Sequence, residues 1–195
     1  MSRNKGKHPA VELVAHEICK HLAAKTDVVV AVDGRCASGK TTLAALLQEE
    51  LACQVIHMDD FFLRPDQRTK ERLSVPGGNV DYERFFKEVL LPLKEKGECV
   101  YRPYDCKSQQ FKEPVTVKKS AIVLVEGSYS CHPMLWESYD LHIFLDVDAV
   151  TQMKRIRLRN GEEMAQRFAD VWIPLEETYF TECRIREKCE LYYEI

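Results

Sequence analysis

The 195-residue sequence predicts an α/β fold, a five-stranded parallel sheet with helices on both faces. Three observations carry this expectation. Short apolar runs rich in β-branched residues, such as Val28-Val29-Val30-Ala31-Val32, read as strands covered on both sides. Between them lie stretches with apolar residues at three- and four-residue spacing, the signature of amphipathic helices. Polar residues capable of chemistry recur just past the ends of the apolar runs, where ligands bind in such sheets.

The elements follow in order. A basic tail, residues 1–7, precedes a helix over 9–24, with Pro9 in its first turn and Val11, Val14, Ala15, Ile18 and Leu22 on one face. The first strand spans 27–33, and a helix over 40–51 leads to a second strand, 54–57, which delivers Asp59 and Asp60 at its end. Residues 63–80 carry Pro and Gly among polar residues and read as a long functional loop. A helix over 82–96 buries Phe85, Phe86, Val89, Leu90 and Leu93, and Gly97 stops it. Two extended pieces between 99 and 118 form a hairpin insertion with a polar tip. Strands over 121–125 and 141–145 follow, ending at Glu126 and Asp146. Asp148 caps a helix striped with Val150, Met153 and Ile156, which Asn160-Gly161 breaks. A mobile lid over 157–172 leads into a last helix, 174–188, and an edge strand, 191–195. Residues 1–26 are thus a tail and helix, and 27–195 one domain.

Composition narrows the function. With 28 basic and 31 acidic residues the net charge is −3, which leaves no broad electrostatic footprint for nucleic acid. No apolar stretch approaches the ~20 residues that span a bilayer, so no membrane partner is expected. The eight cysteines are dispersed without a C-x-x-C pair, which reads as reduced thiols in a cytoplasmic protein. Self-association into a homo-oligomer is left open.

Residues 34–41 read Gly-Arg-Cys-Ala-Ser-Gly-Lys-Thr, the G-x-x-x-x-G-K-[ST] phosphate-binding loop, set between a strand and a helix. Such a turn aims successive backbone N–H groups and the helix dipole at a polyphosphate. Gly34, Arg35, Cys36, Ala37, Ser38, Gly39, Lys40, Thr41 and Thr42 therefore form the expected nucleotide cradle. Lys40 reaches the β- and γ-phosphates, Thr41 sits on magnesium, and Cys36 is a small filler. The implied ligands are ATP and Mg2+.

Phosphoryl transfer to a hydroxyl needs a metal, a carboxylate for the acceptor proton and cations around the transferring group. Glu126, ending an apolar strand, can hold a magnesium-bound water next to Thr41. One of the adjacent Asp59 and Asp60 is a candidate base, and the other a capping or supporting group. Arg155 and Arg159, at i, i+4 on one helical face, can bring guanidinium groups to the phosphates as part of the lid.

Taken together, residues 32–42, His57-Met58-Asp59-Asp60-Phe61-Phe62, Asn79-Val80-Asp81, Pro103-Tyr104-Asp105 and Leu124-Val125-Glu126-Gly127 resemble the uridine/cytidine kinase family, within the phosphoribulokinase–uridine kinase group of P-loop kinases. The resemblance implies a P-loop kinase fold, and ATP-dependent transfer to the 5′-hydroxyl of a pyrimidine nucleoside. It implies Asp59 as the base, Asp81 on the ribose hydroxyls, Tyr104 beside the base ring, and Arg155 and Arg159 as lid arginines. Asp81 also stands where it can cap the helix after it. The family's histidine after that tyrosine is absent. Cys106-Lys107-Ser108-Gln109-Gln110 stands there, and Gln109 can hydrogen-bond an acceptor through its amide. Another small acceptor (pantothenate, a sugar phosphate or nicotinamide riboside) and a non-catalytic nucleotide switch are the competing readings.

Overall fold

The computed structural model describes residues 10–195, so the tail and the helix start at Pro9 lie outside the described residues. Helix α1 (Val11–Leu22) buries Val11, Val14, Ala15 and Ile18. It is followed by β1 (Val28–Gly34), α2 (Lys40–Leu51) and β2 (Gln54–His57). Residues 63–80 are not featureless. A 3-10 turn at Pro65–Gln67 and a short helix, α3 (Lys70–Ser74), punctuate them, and the Thr69 hydroxyl caps α3 by accepting from Arg72 N. Phe62 and Val80 close the loop with an antiparallel bridge.

Next comes one helical run, α4 (Tyr82–Phe85) and α5 (Leu91–Lys96) joined through a π-turn at Phe86–Leu90. The insertion consists of two antiparallel pairs. Strand β3 (Glu98–Tyr101) pairs with β6 (Val115–Lys118), and β4 (Tyr104–Asp105) with β5 (Gln110–Phe111). Strands β7 (Ile122–Glu126) and β8 (Leu141–Asp146) complete the sheet's interior, and α6 (Ala149–Asn160) ends at Gly161.

The lid differs from expectation. Glu162–Arg167 (α7), a π-turn at Phe168–Trp172 and Ile173–Glu182 (α8) form one helical run instead of a loop leading into a helix. The reason lies in Pro174, which suits a first turn and so reads as a helix start. Here it lies just after a π-turn, as Pro92 does in the earlier run. A proline cannot donate to the carbonyl four residues back, and the shifted register of the π-turn accommodates the lost bond. The run ends at Cys183, Arg184 takes φ +55°, and α9 (Ile185–Lys188) precedes β9 (Leu191–Glu194).

The sheet is all parallel in the order β2-β7-β1-β8-β9. Alternate residues of β1 face opposite sides. Val28, Val30 and Val32 join Val14, Ile18, Leu43 and Leu47 in one cluster beneath α1 and α2. Ala31 joins Phe61, Phe85, Tyr129, Phe144, Tyr179 and Phe180 in the other, beneath the α4–α5 run and α8. Burial on both faces explains the continuous apolar runs, and it brings the carboxyl ends of β1, β2 and β7 side by side, with His57 opposite Glu126.

Candidate active site

The phosphate loop begins where the end of β1 lies close against β8 at Leu145. Gly34 has φ +135°, and a Cβ there would lie 1.9 Å from the Leu145 carbonyl oxygen, so only glycine fits. Ala37 at φ +62° and Gly39 at φ +100° complete the turn into α2. Gly39, Lys40, Thr41 and Thr42 offer backbone N–H groups that have no partner among the described residues, the donors a helix start leaves for an anion. The Ser38 hydroxyl is fully buried and likewise unpartnered. Lys40 Nζ donates to the carbonyls of Gly34 (2.6 Å) and Arg35 (2.8 Å), which holds its charge over the loop.

Acids gather beside this cradle. The Thr41 hydroxyl lies 3.2 and 3.1 Å from the two oxygens of Glu126, joining α2 to the end of β7. His57 Nδ1 is 2.5 Å from Glu126 Oε1, and that hydrogen bond raises the imidazole pKa. Asp59 opens onto the crevice, yet the protein crowded around it pushes its carboxyl up to about 6, against the pull of Lys40 and with a further push from Glu126 and Glu176. Its position depends on Gly127, which has φ +140° and whose added Cβ would sit 3.1 Å from Asp59 Oδ1. Asp60 turns the other way and accepts from the Tyr101 hydroxyl at 3.3 Å. The two adjacent aspartates thus separate: Asp59 shares its field with Lys40 and Glu126, while Asp60 ties β2's end to the insertion.

Of the two predicted lid arginines, Arg155 reaches the loop, donating to the Ala37 carbonyl at 3.1 Å. Arg159 donates to Asn160 and lies 5.9 Å from the Phe168 ring. Arg35 belongs to the loop by backbone alone. Its side chain turns to Glu177 (2.7 Å), Asp146 (3.4 Å) and the Val147 carbonyl. Asp146 also accepts from Tyr192, so it locks the sheet edge instead of facing the crevice. Burial, with Glu176 adding, pushes the Cys36 thiol up to about 12, as befits an inert filler.

The remaining predicted residues stand at the end of the 63–80 loop and on the insertion. Asp81 caps α4 through Arg84 N (3.1 Å), and its second oxygen accepts from Gln67 at 2.8 Å. Tyr104 is buried edge-on to Phe111, and its hydroxyl has no partner among the described residues. Tyr104 and Gln109, the latter at φ +56°, both line a cavity of about 560 Å³.

No protein-family model and no curated protein matches the chain. Solved structures do. A possible uridine kinase from Bacillus stearothermophilus superposes with a TM-score of 0.69 at 21% identity, over 93% of this chain and 99% of that one. A candidate fructose transport system kinase from Silicibacter sp. TM1040 gives 0.70 at 18%, over 94% and 98%. YFH7 of Saccharomyces cerevisiae, described as a candidate P-loop kinase with a circular permutation, gives 0.68 at 12%, over 95% and 99%. The chain has the P-loop kinase fold.

Within this P-loop kinase fold, several residues that the sequence reading passed over hold the site together. Asp33 is fully buried and accepts from Gly34 N, Tyr129 N, Cys131 N and the Tyr179 hydroxyl. Burial pushes its carboxyl up to about 6, while Cys131 N, Lys40, Gly34 N and the Tyr179 hydroxyl pull the other way. Glu176 of α8, also buried, accepts from Cys36 N (3.0 Å) and the Ser128 hydroxyl (2.6 Å), and Gln152 donates to the Cys36 carbonyl (3.1 Å). An acid that ends an apolar run just before the loop's first glycine is the one signal that singles out Asp33. Glu176 lies in a charged stretch and gives none.

Proposed function

We propose that this protein is an ATP-dependent phosphotransferase acting on the hydroxyl of a small molecule. The observation that supports it best is the Asp59 carboxylate seated against Gly127, beside the Thr41–Glu126 contact at the mouth of the phosphate loop. The unpartnered amides of Gly39–Thr42 and the buried Ser38 hydroxyl fit a polyphosphate. Thr41 and Glu126 have the chemistry to hold magnesium, which favours one or two protein oxygens plus phosphates and water. The metal, when bound, neutralises charge on the phosphates.

The chain's own residues do the rest. Lys40 and the loop amides orient the triphosphate, and Arg155 adds positive charge at the loop. Asp59, ionised at neutral pH, takes the proton of the attacking hydroxyl. Asp81, Tyr104 and Gln109 hold the acceptor opposite. Resemblance to the uridine/cytidine kinases, and the structural likeness to the possible uridine kinase of Bacillus stearothermophilus, put uridine and cytidine first among acceptors. Gln109 in place of a histidine favours a second reading, a different small alcohol. An ADP-release assay across nucleosides, sugars, sugar phosphates and pantothenate tests both. The reading requires one acceptor to raise ADP release well above hydrolysis by water, and it fails if none does.

A further inference from the structure

We infer that the acceptor carries an anionic group, a carboxylate or a phosphate, bound by Arg102 and Arg64 in the cavity that Tyr104 and Gln109 line. This rests on the kinase reading and favours its second form, a different small alcohol, over the neutral nucleosides. The cavity of about 560 Å³ has a volume suited to a small metabolite, and its polar lining is dominated by donors. Arg64, Arg102, Gln109 and Gln110 face it, with Asp66 as the sole acid among its lining residues.

The cations there are crowded and poorly compensated. Three guanidinium groups surround the ring of Phe111: Arg84 at 5.3 Å, Arg102 at 5.7 Å and Arg64 at 5.9 Å. Arg84 has carboxylate partners in Glu88 and Asp81. Among the described residues Arg64 has one carboxylate partner, Asp66, at 3.4 Å and well exposed, a pairing that contributes little. Arg102 meets no carboxylate among the described residues. It donates from Nε and Nη2 to the carbonyls of Lys112 and Phe111, which fixes its plane and leaves Nη1 available.

Beside them the Tyr104 hydroxyl is buried without a partner among the described residues, a further donor for the same ligand. A neutral pyrimidine would leave these like charges facing one another. A carboxylate or phosphate would offset their repulsion and accept in fork geometry from an arginine.

The test uses the full chain with magnesium and a non-hydrolysable ATP analogue saturating the loop, titrated calorimetrically with inorganic phosphate. Phosphate is expected to bind, more weakly as salt rises. Arg102→Gln should weaken that binding about tenfold or more, the scale of one charge-assisted hydrogen bond, while Arg102→Lys, which keeps the charge, should retain most of it. A kinetic arm compares matched alcohols, pantothenate against pantothenol and ribulose 5-phosphate against ribulose. The anionic members should have the lower KM, and Arg102→Gln should raise it chiefly for them. Phosphate binding that is absent, or equal in wild type and Arg102→Gln, overturns the inference. So does a neutral alcohol used with a lower KM than every anionic one. If no alcohol releases ADP, the kinase reading fails, and the phosphate titration still decides whether the anion site exists.

Discussion

Asp59→Asn is the most informative single change. The substitution keeps the shape beside Gly127 and removes the proton acceptor. A positioned general base contributes about 10²–10⁴-fold, so kcat should fall by that factor, roughly 2.7–5.4 kcal/mol of barrier. The raised pKa sets the pH dependence. With the Asp59 carboxyl at about 6, it is about nine-tenths ionised at pH 7 and about one-tenth ionised at pH 5. Catalysis needs the ionised form, so wild-type kcat/KM should be flat above pH 7 and fall about tenfold between pH 7 and 5. Asparagine does not titrate, so the variant's residual rate should lose that acid limb. A coupled ADP-release assay from pH 5 to 9, with the acceptor found by screening, measures both effects. A variant with wild-type turnover, or one that keeps the limb near pH 6, refutes Asp59 as the base. Asp60→Asn is the control. Because Asp60 bonds Tyr101, it should alter stability more than the acid limb.

Other expectations follow from the same geometry. Gly127→Ala puts a methyl 3.1 Å from Asp59 Oδ1 and 2.9 Å from Met58 Cβ at φ +140°. Urea denaturation should show a loss of about 1–3 kcal/mol, and kcat should drop with it. Glu126→Gln preserves the contact with Thr41 but removes the charge. The magnesium concentration for half-maximal activity should rise about 10–100-fold with little change in fold, read by metal titration and circular dichroism. Arg72 pins the loop to the helix after it, through both oxygens of Glu83 (2.6 and 2.7 Å) and the carbonyls of Gly78 and Val80. Arg72→Ala should cost about 1.5–3 kcal/mol and open residues 63–80 to limited proteolysis, whereas an unchanged cleavage rate would show that the loop is held elsewhere.

What could be read directly was what local chemistry encodes. Strands buried on both faces need unbroken apolar runs, so β1, β7 and β8 declared themselves through Val28–Val32, Ile122–Val125 and Leu141–Leu145. The loop motif declared its own turn, and Asp148 its helix, with both Val150 N and Thr151 N donating to the carboxylate as expected. The rest depends on partners distant in the chain. Pro174 reads locally as a helix start, and only packing carries the helix through it. The split between Asp59 and Asp60 requires Gly127 and Tyr101, which lie 68 and 41 residues away respectively. Asp33 looks like the end of a strand until Tyr129, Cys131 and Tyr179 are brought to it.

These distant contacts divide the phosphate loop into two halves with different tasks. The first half is held from behind. Glu176 takes the Cys36 N–H, Gln152 takes the Cys36 carbonyl, Arg155 takes the Ala37 carbonyl, and Glu177 takes the Arg35 side chain. Ala37 carries a left-handed backbone, φ +62°, that costs a non-glycine residue about 1–3 kcal/mol and persists only where its surroundings enforce it. In the second half, the Ser38 hydroxyl and the amides of Gly39 to Thr42 have no such ties among the described residues. The amides that would meet phosphate are therefore not the amides that hold the loop in shape, whereas Lys40 and Arg155 serve on both sides. The holding groups come from α6 and α8, at either end of the segment spanning Gly161 and the π-turn at Phe168–Trp172. Movement of those helices would reach the loop through Cys36 and Ala37, so the segment predicted as a lid is mechanically tied to the cradle by these hydrogen bonds.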